Sequence, residues 1–186
     1  MQRPLNRALL GAAALALVLA SSAQAQVGLT SNTATVTLNA TKTSTLTVSP
    51  SVATATLASI TDNSNANAFS NVNLTTDWNL TSGTSVRLIG WFATPASALV
   101  NGSALIPSSV VEGGINGGGF SPLTGAAVGG VGVAGGSLQL FSQAVALANY
   151  FSTRTDILNM RLNLVGFPTT SAGLYTGTLN VQAVVQ

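Results

Sequence analysis

The side chains able to do chemistry are few. The chain of 186 residues has six Lys and Arg, four Asp and Glu, and neither His nor Cys. Beyond position 25 the charged set reduces to Lys42, Arg87, Arg154, Arg161, Asp62, Asp77, Asp156 and Glu112. General acid–base catalysis, metal ligation and activated nucleophiles draw on His, Cys, Lys or clustered carboxylates. Here each type is absent or isolated in sequence, which predicts a protein that is not an enzyme and has no cofactor and no metal.

Three constellations come nearest to a chemical motif. Gly130-Val131-Gly132-Val133-Ala134-Gly135 has the glycine spacing of a dinucleotide fingerprint, with Asp156 downstream. That motif works only between a strand and a helix. Here a Gly/Ala/Val stretch precedes it and a strand-like run follows, so a loop is expected. Asp62 stands in an Asn-rich stretch, but Ser64 and Ala66 occupy the third and fifth positions of a calcium loop and no Glu closes it, so a polar turn is expected. Lys42 and Ser44 form the sparsest possible nucleophile–base pair; a solvated strand-edge charge is the simpler reading.

Among the aromatic residues, Trp78 shares a strand face with Val72, Leu74 and Leu80 and reads as core. Trp91 alternates to the opposite face from Leu88 and Phe92, beside Ile89 and Arg87. An exposed ring there could stack on a sugar, and the competing expectation is that another segment covers this face.

The elements that must position these residues are strands. Ala34, Val36, Leu38 and Ala40 alternate with Thr and Asn, and Leu46 and Val48 continue the pattern to Pro50. Further strands are expected over 52–60, 72–80, 84–92, from Leu138 to about Val145, over 158–164 and over 175–185. A short helix across Gln143 to Tyr150 is the one competing assignment. Thr81-Ser82-Gly83 reads as a three-residue hairpin loop that would place Asp77 across from Arg87 and Trp78 across from Val86. Asn116-Gly117 marks a second hairpin. Gly125 to Gly136 reads as a mobile loop or irregular edge, and 149–155 as a loop. About eight to ten short strands without a long helix predict an all-β fold, a single β-sandwich of immunoglobulin-like or jelly-roll character.

Residues 1–25 have the plan of a secretory signal peptide: Arg3 and Arg7, an apolar run from Ala8 to Ala20, then Ala23-Gln24-Ala25. The sandwich is assigned to 26–186, with no integral membrane segment after cleavage. Location is expected to be secreted, extracellular or at the cell surface, with the periplasm as a further compartment. The net charge of +2 resides in Arg3 and Arg7, so no basic cluster remains to bind nucleic acid. With no Cys, packing and backbone pairing must hold the domain without a disulfide.

The ending from Pro168 to Gln186, a Gly173-Leu174-Tyr175 turn feeding a Thr/Val strand, resembles that of pilin-like secreted proteins of the spore-coat-U and chaperone–usher type. The Cys pair common in those subunits is missing. The resemblance implies an immunoglobulin-like structural subunit of a surface fibre or coat, with itself or other surface subunits as partners and no catalytic residues. On that reading Ala34, Val36, Leu38 and Ala40 form a strand donated to a neighbour; the alternative is the first strand of the chain's own sandwich. A non-catalytic binding module for a neutral ligand such as carbohydrate, contacted by Trp91, is the second functional expectation.

Overall fold

The computed structural model describes residues 33–186, which fall into two units divided between Thr41 and Lys42. The signal-peptide assignment lies outside the described residues. Of the first unit, residues 33–41 carry no regular secondary structure and are exposed throughout.

The second unit is a β-sandwich of antiparallel sheets. The larger sheet contains β1 (Thr45–Pro50), β2 (Asn67–Ala68), β3 (Val72–Asn79), β7 (Val111–Ile115), β8 (Ser121–Pro122) and β10 (Phe151–Leu162), in the order β1-β3-β10-β7-β8 with β2 on β10. The smaller sheet is β11-β4-β9, from β11 (Leu179–Val185), β4 (Ser85–Phe92) and β9 (Ser137–Ala144). A separate hairpin pairs β5 (Leu99–Asn101) with β6 (Ala104–Ile106).

Period-two alternation builds both layers. In β3, Val72, Leu74, Thr76 and Trp78 point inward and are buried, while Asn73, Thr75, Asp77 and Asn79 face outward. Val86, Leu88 and Phe92 of β4 and Leu158, Met160 and Leu162 of β10 join the same core. Burying one such side chain contributes about 1.5–3 kcal/mol, so the shared apolar interior holds the layers together without a disulfide.

The expected hairpin between 72–80 and 84–92 does not form. β3 pairs with β1 and β10, whereas β4 pairs with β11 and β9. Trp78 and Val86 belong to one core from opposite sheets. Asp77 accepts a hydrogen bond from Thr153 Oγ1 at 2.5 Å, and buried Arg87 Nε has no partner among the described residues. Alternation states which side of a strand is buried; it leaves open whether the next strand lies beside it or across the core. The turn has the anticipated chemistry, with Gly83 at φ +91°, but its backbone bonds go to Val145: Gly83 N–H donates to Val145 O and Val145 N–H to Thr84 O, each at 2.8 Å.

Other expectations are corrected too. The alternation at 34–40 forms no strand, and the first strand among the described residues starts at Thr45. The stretch 52–60 is irregular: after Pro50, which cannot donate to a ladder, it is tied by isolated bonds such as Ser70 N–H to Thr56 O, 2.8 Å, while Ala55, Leu57 and Ile60 pack on the core. Residues 151–155 belong to β10, and no helix forms over 143–150, where β9 runs into a turn. The last strand begins at Leu179, after an isolated bridge between Thr176 and Val100. The Asn116-Gly117 turn forms as expected, with φ of +54° and +71°, between β7 and β8.

The Gly-rich stretch 125–136 is bonded rather than loose. Gly125 N–H donates to Ser137 O at 2.7 Å, Ser137 Oγ donates to Val133 O at 2.7 Å, and Val128 and Val131 exchange backbone bonds. A Cβ at Gly129 would stand 2.9 Å from Val184 Cγ2, on the outer face of the smaller sheet. Outward-facing Ile89 on the neighbouring strand is 0% exposed.

Candidate functional site

Residues 33–41 hold four apolar residues at alternate positions, Ala34, Val36, Leu38 and Ala40, and have no strand partner among the described residues. Val36 is 80% and Leu38 89% exposed. In the strands of the second unit the same alternation is spent on burying one face. Here the apolar face is left in water, at a cost of about 1.5–3 kcal/mol for each large side chain relative to burial.

In the second unit, the edge strands β1 and β11 border a cleft of about 400 Å³. Val48 and Pro50 of β1 and Leu179 and Val181 of β11 form its rims, with Val72 and Phe92 among its deeper residues. Each edge strand pairs on one side only, β1 with β3 and β11 with β4. The cleft therefore combines unpaired strand edges with an apolar floor, the two properties needed to receive an extended peptide.

Trp91, the sequence candidate for a sugar contact, is half-buried. Its cross-strand neighbours are Asn180 and Ser137, and Ser137 is the residue that anchors the Gly-rich stretch. Lys42 and Ser44 are not joined in a dyad; the Lys42 ammonium lies 4.3 Å from the centre of the Tyr150 ring. Asp62 accepts bonds from Thr170 N–H, 3.1 Å, and Thr170 Oγ1, 2.8 Å, which makes it a loop tie. Among the described residues no three His, Cys, Asp or Glu side chains are grouped to hold a metal ion.

The densest polar cluster was not legible as one in the sequence. Arg154 and Asp156, two apart on β10, both point into the interior. Arg154 Nε lies 2.6 Å from Asp156 Oδ2 and Nη2 lies 2.8 Å from Oδ1, a bidentate pair with Asp156 only 1% exposed. Asn116 Nδ2, from the tip beyond β7, donates to Asp156 Oδ1 at 2.6 Å, while Asn116 Oδ1 accepts from Ile157 N–H at 2.8 Å. The guanidinium stacks on Phe141 of the opposite sheet, 4.3 Å from the ring centre. Every group is engaged by its neighbours, so the cluster clamps the sheets together and presents no free acid, base or nucleophile. A second pair, Arg161 with Glu112 at 2.6 Å, lies on the outer face and stacks on Phe120.

The hydrogen bonds that Arg154 donates to Asp156 raise its pKa above the ordinary value, with desolvation opposing and the Coulomb attraction of Asp156 adding. A cation whose pKa is raised on folding gives stability that is fully present below its unfolded pKa and fades only as the pH rises through the folded value, here far into alkali. The chain also has no His or Cys to titrate near neutrality. Thermal melts between pH 5 and 9 are therefore expected to agree within about 3 °C, equivalent to under about 1 kcal/mol for a domain of this size. A shift of many degrees in that range would disprove this account.

No helix among the described residues is long and apolar enough to cross a membrane. No family model, no curated protein and no solved structure matches the chain.

Proposed function

We propose that the protein is a structural subunit of an extracellular or cell-surface assembly, in which residues 33–41 of one copy pair as a strand with the sandwich of the next. The observation that carries this reading is the unpaired, exposed alternation of Ala34, Val36, Leu38 and Ala40. An extended nine-residue segment is about 30 Å long, enough to run the length of β11 or β1. Its apolar face is suited to the cleft between these strands, and its Thr and Asn face suits solvent. Backbone bonds to a free edge would supply affinity, while Val36 and Leu38 in the cleft would supply register. The near absence of charge along this segment and β1 leaves nothing to repel a partner strand.

The test is deletion. The mature chain, residues 26–186, is expected to form oligomers by analytical ultracentrifugation at high micromolar concentration. A chain starting at Lys42 should remain folded and monomeric, and should bind a synthetic peptide of residues 33–41. A full-length chain that stays monomeric, or a truncated chain that still polymerises, overturns the reading.

A further inference from the structure

We propose that the outer face of the larger sheet, beginning at Phe151, is a binding platform for a neutral glycan. This face is the opposite side of β1 from the residues that rim the cleft. Three strands contribute to it in register. Thr45, Asn79 and Phe151 form one cross-strand row, Thr47, Asp77 and Thr153 the next, and Ser49, Thr75 and Thr155 a third. All nine alternate outward, away from Leu46, Trp78 and the other core positions. A fourth row pairs Asn73 with Ile157, a second exposed apolar residue.

The chemistry of this surface is that of a sugar receptor. Phe151 is 75% exposed, a ring beside a sheet of hydroxyls with Asp77 one row away; its neighbour Asn79 is half-buried, with Oδ1 enclosed. Sugar rings present apolar C–H faces that stack on an aromatic ring, and their hydroxyls bond to side chains that accept and donate, which carboxylate and hydroxyl groups together supply. The platform is about 10 Å wide over its three strands and about 20 Å long from Phe151 to Ile157, room for several linked sugar rings.

The backbone leading into Phe151 is fixed before a ligand arrives. Trp78 Nε1 donates to Asn149 O at 2.8 Å, Leu80 N–H donates to Tyr150 O at 2.8 Å, and the Asn149 side chain accepts from Ala146 N–H and donates to Ala144 O. Ordering of this backbone is then not an added cost of binding. The polar groups are also pre-aligned: Thr153 donates to Asp77, and Thr75 and Thr155 share a hydrogen bond of 3.2 Å.

Other occupants fit poorly. An anionic membrane or nucleic acid needs clustered cations, whereas Lys42 sits over Tyr150 and Arg161 of this face is paired with Glu112. A protein partner of ordinary affinity needs a central apolar cluster, whereas here the middle rows are hydroxyls and one carboxylate.

The experiment titrates the mature chain with cellohexaose, chitohexaose and mannohexaose by isothermal calorimetry, with vesicles of phosphatidylglycerol and phosphatidylcholine in a parallel sedimentation arm. At least one hexaose is expected to bind saturably. Phe151→Ala should weaken it about tenfold or more, Asp77→Ala should weaken it as well, and Phe151→Trp should retain it. Trp91→Ala should leave binding unchanged, and melting curves of Phe151→Ala should match the parent because the ring is exposed. Binding by none of the three sugars, sugar binding that survives Phe151→Ala or disappears only in Trp91→Ala, or Phe151-dependent vesicle binding without sugar binding each overturns the proposal.

Discussion

Replacing Asp156 with alanine is expected to destabilise the sandwich by about 3 kcal/mol, lowering its melting temperature by about 6–12 °C. The effect is large because the carboxylate satisfies two partners at once, the Arg154 fork and Asn116 Nδ2. Removing it leaves a half-buried guanidinium over Phe141 without its counter-charge and frees the tip beyond β7. Asp156→Asn, which keeps volume and a hydrogen-bond acceptor, should lose less. Urea denaturation of the parent and both variants provides the measurement, and an alanine variant within about 0.5 kcal/mol of the parent would show that the pair contributes no net stability.

The second large effect concerns association. The double variant Val36→Asp, Leu38→Asp should reduce self-association by about a hundredfold or more, since it withdraws two apolar side chains, each worth about 1.5–3 kcal/mol on burial, and asks a charge to enter an apolar cleft. Both side chains are exposed in the subunit, so the melting temperature of the monomer should stay within about 2 °C of the parent. Unchanged sedimentation of the double variant would remove this segment from the interface. A fall in monomer stability would instead mean that the segment packs on its own domain.

Local alternation made much of the layer content readable. Val72–Asn79, Ser85–Phe92, Ser137–Ala144 and Leu179–Val185 lie where large apolar residues repeat every second position, because a strand with one buried face can have no other pattern. Pro50 and Asn116-Gly117 also acted as local punctuation. The pattern failed where its physical premise did: Ala34 to Ala40 alternates with no face buried, and 52–60 packs its apolar residues from an irregular backbone. Phe151–Thr155 was missed because its outward Phe and inward Arg invert the usual signs.

The sites were less legible than the strands. The scarcity of reactive side chains is a property of composition and is read from the sequence alone. The clamp of Arg154, Asp156 and Asn116 joins residues 38 to 40 positions apart, and alternation cannot say that β7 will lie beside β10. The hydroxyl face is likewise assembled from β1, β3 and β10, distant in sequence and adjacent only through sheet order. Residue type and period determined which faces could be buried; strand pairing, which depends on contacts across the whole chain, decided which residues became neighbours.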